Sequence, residues 1–201
     1  ARSTDKMADL VQLGAVALRM DISKDAEIVA AVAAITERSG GVDVLVNNAG
    51  YGLYGPVEEI GLDEARYQFE VNVFGAARLT QLLLPAMRAK GRGTIVNITS
   101  MGGKIYTVLG AWYHATKHAL EGWSDSLRLE LEPFGIRVVV IEPGAGVIQQ
   151  VRVGGRRDGA AVVRLEGFDD LVGVVAEVQY ERVRLAAAGA IEPRQGLHRR
   201  E

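Results

Sequence analysis

The chain has 201 residues, 48% of them hydrophobic and 24% charged, the balance of one globular domain large enough to bury a core. Its 23 basic and 25 acidic residues leave a formal net charge of −2, so no overall basic field points to nucleic acid. The absence of cysteine excludes disulfides, thiolate metal sites and a cysteine nucleophile; with no signal peptide and no membrane-length apolar run, the sequence reads as that of a cytoplasmic protein.

Taken in chain order, residues 15–21 (AVALRMD) predict a strand, and Ser23 is placed to cap a helix running to about Arg38. Residues 42–48 (VDVLVNN) read as a buried strand that stops at Ala49-Gly50. Residues 62–90 carry one long helical pattern, with Leu79, Leu82, Leu83 and Met87 on one side. Residues 93–99 (GTIVNIT) are a further apolar strand. Residues 110–132 predict a second long helix with Leu120, Trp123, Leu127 and Leu131 three or four apart, and residues 135–142 (GIRVVVIE) a last strand closed by Pro143-Gly144.

Apolar strands alternating with helices imply a doubly wound α/β fold, a parallel sheet covered on both faces. Ligands of such sheets bind beyond the carboxyl ends of the strands. Asp21, Asn48, Ser100 and Pro143-Gly144 each follow a predicted strand and are expected along that edge. The pattern holds over residues 1–146. Residues 147–201 form a divergent segment rich in Arg, Gly and Val, with no lysine beyond Val151, one apolar helix pattern at 169–185 and otherwise no clear period. That composition is compatible with poor order, and also with a GC-rich gene read in a shifted frame.

Within the second long helix, Tyr113 and Lys117 in YHATK lie one turn apart on one face. A free tyrosine has a pKa of about 10, and a neighbouring lysine cation favours the phenolate, so the pair suits acid/base work on a hydroxyl or carbonyl. Ser100, thirteen residues earlier and followed by Met101-Gly102-Gly103, can donate to a substrate oxygen or simply hold a turn. Asn72, inside a helical pattern, calls for a backbone partner, a bound water or solvent. In Asn47-Asn48-Ala49-Gly50, the glycine allows a flat ligand to approach the backbone closely. His114 and His118 share a helix face but lack carboxylates at metal spacing, and His198 stands far off in sequence, so no metal site is expected.

NNAG, Asn72 in VNVFG, Ser100 in ITSMGG, YHATK and IEPG occur in the order and spacing of the short-chain dehydrogenase/reductase family, over about residues 1–144. The chain most resembles the 17β-hydroxysteroid dehydrogenase and retinol dehydrogenase branch. The resemblance implies a Rossmann-like fold and an oxidoreductase moving hydride between a nicotinamide cofactor and an alcohol or ketone. It implies that Tyr113 is the acid/base, and that Lys117 lowers its pKa and holds the ribose. Ser100 is implied to polarise the substrate oxygen and Asn72 to hold a water of the proton relay. Cofactor contacts are implied for Asp21 and Ile22 at the adenine, Asn48, Ala49 and Gly50 along the cofactor, and Pro143 and Gly144 at the nicotinamide.

In the family's register Ala1 takes the position where an acidic residue would hold a ribose 2′-hydroxyl, and Arg2 follows it, which favours NADP(H) over NAD(H). The family's opening strand and Gly-rich phosphate turn have no counterpart, so an N-terminally truncated domain is expected. Ala145-Gly146-Val147-Ile148 also lacks a threonine that members often use for the carboxamide. The expected partner is a small alcohol or ketone, lipid-like in the branch the chain resembles, with no nucleic acid and no membrane span. A homodimer or homotetramer through the long helices is implied. The alternative is a non-catalytic remnant acting through those helices.

Overall fold

The computed structural model describes residues 1–144 and three later strand segments, Val151–Val153, Val163–Leu165 and Val175–Ala176. The predicted boundary at 146/147 lies outside the described residues. The apolar runs pair as parallel strands because each is buried against helices, and parallel strands need such crossovers. Strands β1 (Val44–Asn47), β3 (Gly93–Ile98) and β4 (Ile136–Ile141) lie side by side with β3 in the middle. Registers run from Val44 opposite Thr94 to Asn47 opposite Asn97, and from Gly93 opposite Ile136 to Ile98 opposite Ile141. The short strand β2 (Gly52–Tyr54) follows β1. Of the later strands, β6 (Val163–Leu165) joins β2 to β5 (Val151–Val153), and β7 (Val175–Ala176) runs antiparallel to β1. Within the helical pattern at 169–185, those two residues are thus strand; the rest is outside the described residues.

Helices α2 (Asp25–Ser39), α4 (Gly75–Lys90) and α5 (Ala111–Leu131) share one core with the sheet. Ile28 and Val32 of α2, Leu79, Leu83 and Met87 of α4, and Leu127 and Leu131 of α5 meet Leu45, Ile95 and Val138. The strand period of two sends the alternate residues to the other face. There, among the described residues, Val139 and Ile141 are 40% and 45% exposed. A short helix, α1 (Ala8–Gln12), precedes the rest.

The core also holds polar ties. Asn47 Nδ2 donates to Thr80 Oγ1 of α4 (3.1 Å) and to Asn97 Oδ1 of β3 (2.9 Å), and Asn97 Nδ2 donates to Ser124 Oγ of α5 (2.8 Å). These buried groups are paired with one another, so the ladder joins sheet and helices without leaving a donor stranded.

Three expectations are corrected. Residues 15–21 form no strand: Ala1 accepts from Met20 N (3.0 Å) and donates to Leu18 O (2.8 Å), and two bonds do not make a ladder. Ser23 does not cap α2. Its backbone N (3.0 Å) and hydroxyl (2.7 Å) both donate to Asp21 Oδ1, while Glu27 Oε2 of the first helical turn accepts from Asp21 N (2.9 Å), so the carboxylates organise the entry. The long helix over 62–90 is not uniform. α3 (Leu62–Phe69) passes into a π-helical turn at Glu70–Phe74 before α4 begins. The wider turn carries Asn72, and Gly75 follows it, where any side chain would strike the Ile22 carbonyl oxygen.

Candidate active site

The carboxyl ends of β1 and β3 and the first turns of α5 bring four predicted residues into one neighbourhood. Asn72 is 1% exposed, which rules out a solvent-facing asparagine. Its Oδ1 accepts from Tyr51 N (3.0 Å), and its Nδ2 donates to Tyr51 O (2.9 Å) and to Thr116 Oγ1 (3.0 Å). Thr116 in turn donates to Tyr113 O (2.8 Å). Asn72 therefore holds the backbone after β1 and, through Thr116, the turn that carries Tyr113. The amide side chain matches one donor and one acceptor of the same residue, so both of its polar ends are satisfied.

Lys117 is 7% exposed, and its Nζ donates to Ile98 O (3.1 Å) at the end of β3. Burial pulls its pKa down to about 8, partly opposed by the Glu121 carboxylate one turn further on. Glu121 is itself buried and is held by the Thr99 hydroxyl and by Lys104 Nζ (2.9 Å). A side chain at Gly50 would stand 3.2 Å from Asn72 Oδ1 and 3.6 Å from Lys117 Nζ. The backbone after β1 thus leaves a cradle beside the lysine that a Cβ would fill. That cradle is compatible with the flat cofactor the family implies.

The expectation that Lys117 lowers the Tyr113 pKa is not met in this arrangement. Burial pushes the phenol above its ordinary value, and a hydrogen bond with Ser100 only partly offsets it. The lysine nitrogen lies 5.9 Å from the Tyr113 ring centroid, and its bond is to Ile98. Tyr54, missed in the sequence, packs its ring 5.4 Å from that of Tyr113. Its own phenol is pushed up to about 12, first by burial and then by Tyr113. A protonated Tyr113 is accordingly the resting form, ready to give a proton away.

Ser100 combines both of its sequence readings. Its backbone is extended (φ −176°), its Oγ caps the turn Met101–Gly103 by accepting from Gly102 N (3.0 Å), and its hydroxyl pairs with Tyr113. Pro143 and Gly144 lie beside it, Pro143 O accepting from Met101 N (3.1 Å). Asn48 and Ala49 are half-buried in the segment after β1. Asp21 and Arg2 form a second group. Burial raises the Asp21 carboxyl, but the Ser23 bonds and then the Arg2 and Lys24 charges bring it below its usual value. Arg2 is exposed, and Ile22 is buried in the core, its carbonyl against Gly75.

The residues missed in the sequence were Tyr54, Thr116 and Glu121. A signal existed only for Glu121, an acid at the next turn of the Tyr-Lys face. The loop from Met101 to Gly110 also walls a cavity of about 440 Å³ between Pro56 and Val57 on one side and Tyr106, Leu109, His114 and His118 on the other. Leu109 takes a left-handed backbone (φ 66°), which a branched side chain rarely adopts, and its carbonyl accepts from Gly55 N (2.9 Å). Among the described residues, no helix is long and apolar enough to cross a membrane.

Three relatives share 44%, 39% and 39% identity with the chain: a probable short-chain type dehydrogenase/reductase, VdlC, of Helicobacter pylori, the 3-ketodihydrosphingosine reductase of Bacteroides thetaiotaomicron, and human retinol dehydrogenase 8. The matches cover 55%, 63% and 65% of the chain but only 41%, 47% and 41% of those proteins, so the chain spans less than half of their length. Among solved structures, a short-chain dehydrogenase from Streptomyces avermitilis superposes with a TM-score of 0.70 at 46% identity, covering 72% of this chain and 55% of that one. A metagenomic short-chain oxidoreductase in complex with NADP gives 0.69 at 34%, covering 74% and 70%. A 3-ketoacyl-(acyl-carrier-protein) reductase from Brucella melitensis complexed with NADH gives 0.67 at 35%, covering 71% and 61%. These likenesses place the sheet and helices in a Rossmann fold, and the short chain dehydrogenase family model matches residues 2–150. With three-quarters of its length accounted for in this way, the chain belongs to the short-chain dehydrogenase/reductase family.

Proposed function

We propose that the protein to which this chain belongs is an oxidoreductase interconverting a ketone and an alcohol with NADP(H), using Tyr113, Lys117, Ser100 and Asn72. The observation that carries the reading is the contact of Ser100 with a buried, protonated Tyr113 one helical turn from a buried Lys117. Asn48, Ala49, Gly50, Pro143 and Gly144 would flank the nicotinamide half, Lys117 its ribose, and Asp21, Ile22 and Arg2 the adenosine half. When bound, a reduced nicotinamide supplies the hydride for the carbonyl carbon.

The residues of the chain do the rest. The Ser100 hydroxyl, its oxygen already taken by Gly102 N–H, turns its proton to the carbonyl oxygen and polarises the bond. Tyr113 gives its phenolic proton to that oxygen, so the product is the alcohol and the phenolate is left behind. Lys117, one helical turn away with its own proton loosely held, is placed to return a proton to the phenolate. Asn72 keeps the Tyr51 backbone and Thr116 in place through this exchange.

An apolar, lipid-like substrate is favoured by the rim of the site. Met101, Ile105 and Val108 are 40%, 46% and 87% exposed on the loop after Ser100, apolar surface that a substrate chain would cover. Two relatives have names that point to lipid substrates, a 3-ketodihydrosphingosine reductase and a retinol dehydrogenase. Arg2, whose charge reaches Asp21, supports the choice of NADP(H). The test is titration of the protein with NADPH and NADH, followed by turnover of long-chain and short-chain ketones. Micromolar NADPH binding with faster reduction of the long-chain ketones is expected; absence of binding to either nucleotide defeats the reading.

A further inference from the structure

Between Tyr113 and Lys117 stands a histidine for which the proton transfer proposed above has no use. His114 is 5% exposed, and both ring nitrogens are engaged. Thr107 N lies 3.0 Å from Nε2 and Thr107 Oγ1 lies 2.8 Å from it. A backbone N–H can only donate, so Nε2 carries the lone pair and the ring proton sits on Nδ1. That proton is directed at Gly102 O, 2.8 Å away. The imidazole therefore joins two ends of the loop between β3 and α5, at Gly102 and at Thr107.

Two glycines make room for the ring. A Cβ on Gly110 would stand 2.6 Å from His114 Cδ2, and one on Gly102 would stand 3.1 Å from His114 Nδ1 and 3.0 Å from Tyr113 Cε1. The loop is thus wrapped on the imidazole as closely as bare backbone allows. The Gly102 peptide matters because its two polar ends look in different directions. Its carbonyl takes the His114 proton, and its N–H donates to Ser100 Oγ at 3.0 Å. With that lone pair occupied, the serine O–H is directed at Tyr113.

We propose that His114 is a positioning residue for Ser100, acting through the Gly102 peptide in its neutral, Nδ1-protonated form. The inference rests on the reading of Ser100 and Tyr113 as the proton-handling pair. It differs from that reading in assigning the aim of the serine to a side chain that touches neither substrate nor cofactor. Without the Nδ1 donor, the Gly102 peptide is free to rotate, and the Ser100 oxygen loses the bond that fixes its rotamer.

The phenol of Tyr113 reports the result, because its bond with Ser100 holds its titration down against burial. In the full chain carrying ¹³C-labelled tyrosine, NMR titrations of the wild type, His114→Leu and His114→Asn are compared. His114→Leu removes both ring contacts and is expected to move the Tyr113 titration upward. His114→Asn places an amide N–H where Nδ1–H was, and is expected to return it toward the wild type. If the leucine variant does not fold, His114→Gln serves in its place, since its amide reaches Thr107 and leaves Gly102 without a donor. In the ketone assay, His114→Leu or His114→Gln is expected to lower kcat about 10- to 100-fold, with the KM for NADPH changed less than about twofold. An unmoved Tyr113 titration in the donor-less variant overturns the inference, as does equal displacement in the asparagine variant. A wild type that reduces no ketone defeats the oxidoreductase reading alone, and the titration still decides the role of His114.

Discussion

Lys117 offers a prediction with a sign and a size. Its ammonium is buried with a single backbone acceptor, and its pKa falls from 10.5 to about 8. Below pH 8 both folded and unfolded chains hold the proton, and the folded state carries the full cost of burying it. That cost is about 3 kcal/mol for a shift of this size. Between pH 8 and 10.5 the unfolded chain binds a proton that the folded chain has lost, so stability rises with pH; above 10.5 the contribution vanishes.

Lys117→Met keeps the length of the side chain and removes the charge. After allowing about 1 kcal/mol for the lost bond to Ile98 O, the variant should be about 2 kcal/mol more stable than the wild type at pH 7. Glu121 is not stranded by the change, since Thr99 and Lys104 still hold it. Urea unfolding at a series of pH values from 7 to 10.5 measures the difference. The wild-type curve should climb toward that of the variant across this range, while carbonyl reduction by the variant is lost. Parallel curves, with a constant gap or none, would refute the reasoning, because the cost would then not come from the proton on Lys117.

Tyr113→Phe removes the phenolic proton and little volume, and should lower ketone reduction about 10²- to 10⁴-fold while nucleotide binding, followed by fluorescence, stays within a few-fold. Arg2→Glu reverses the charge beside Asp21 and should turn the ratio of NADPH to NADH affinity toward NADH; an unchanged ratio would remove Arg2 from cofactor choice. Gly75→Ala would press its methyl group into the Ile22 carbonyl, backbone on both sides, and should cost at least about 2 kcal/mol in urea unfolding.

The strands at 44–47, 93–98 and 136–141 and the helix at 111–131 were legible because burial on both sides, or along one stripe, writes itself into the apolar period. Residues 15–21 carry the same kind of run but form no strand, since a strand also needs a ladder of backbone bonds to a neighbour, and among the described residues they make none. The π turn at 70–74 was illegible for a related reason. Beside it the Ile22 carbonyl leaves no room for a side chain at Gly75, a close approach between residues 53 positions apart that no local pattern records.

For the site, local geometry by itself paired only Tyr113 with Lys117, one helical turn apart, and it was the resemblance of the ordered motifs that joined Ser100 and Asn72 to them. Only the tertiary structure decided what each is bonded to. Asn72 spends its amide on Tyr51 and Thr116, Lys117 spends its proton on Ile98, and Tyr113 is held up by burial more than it is drawn down by a neighbour. Desolvation depends on how many atoms from distant segments close over a group, and no spacing along a chain records that number. His114 shows the same limit: one position from the tyrosine in sequence, it is tied to a loop whose fold brings Gly102 and Thr107 to opposite nitrogens of one ring.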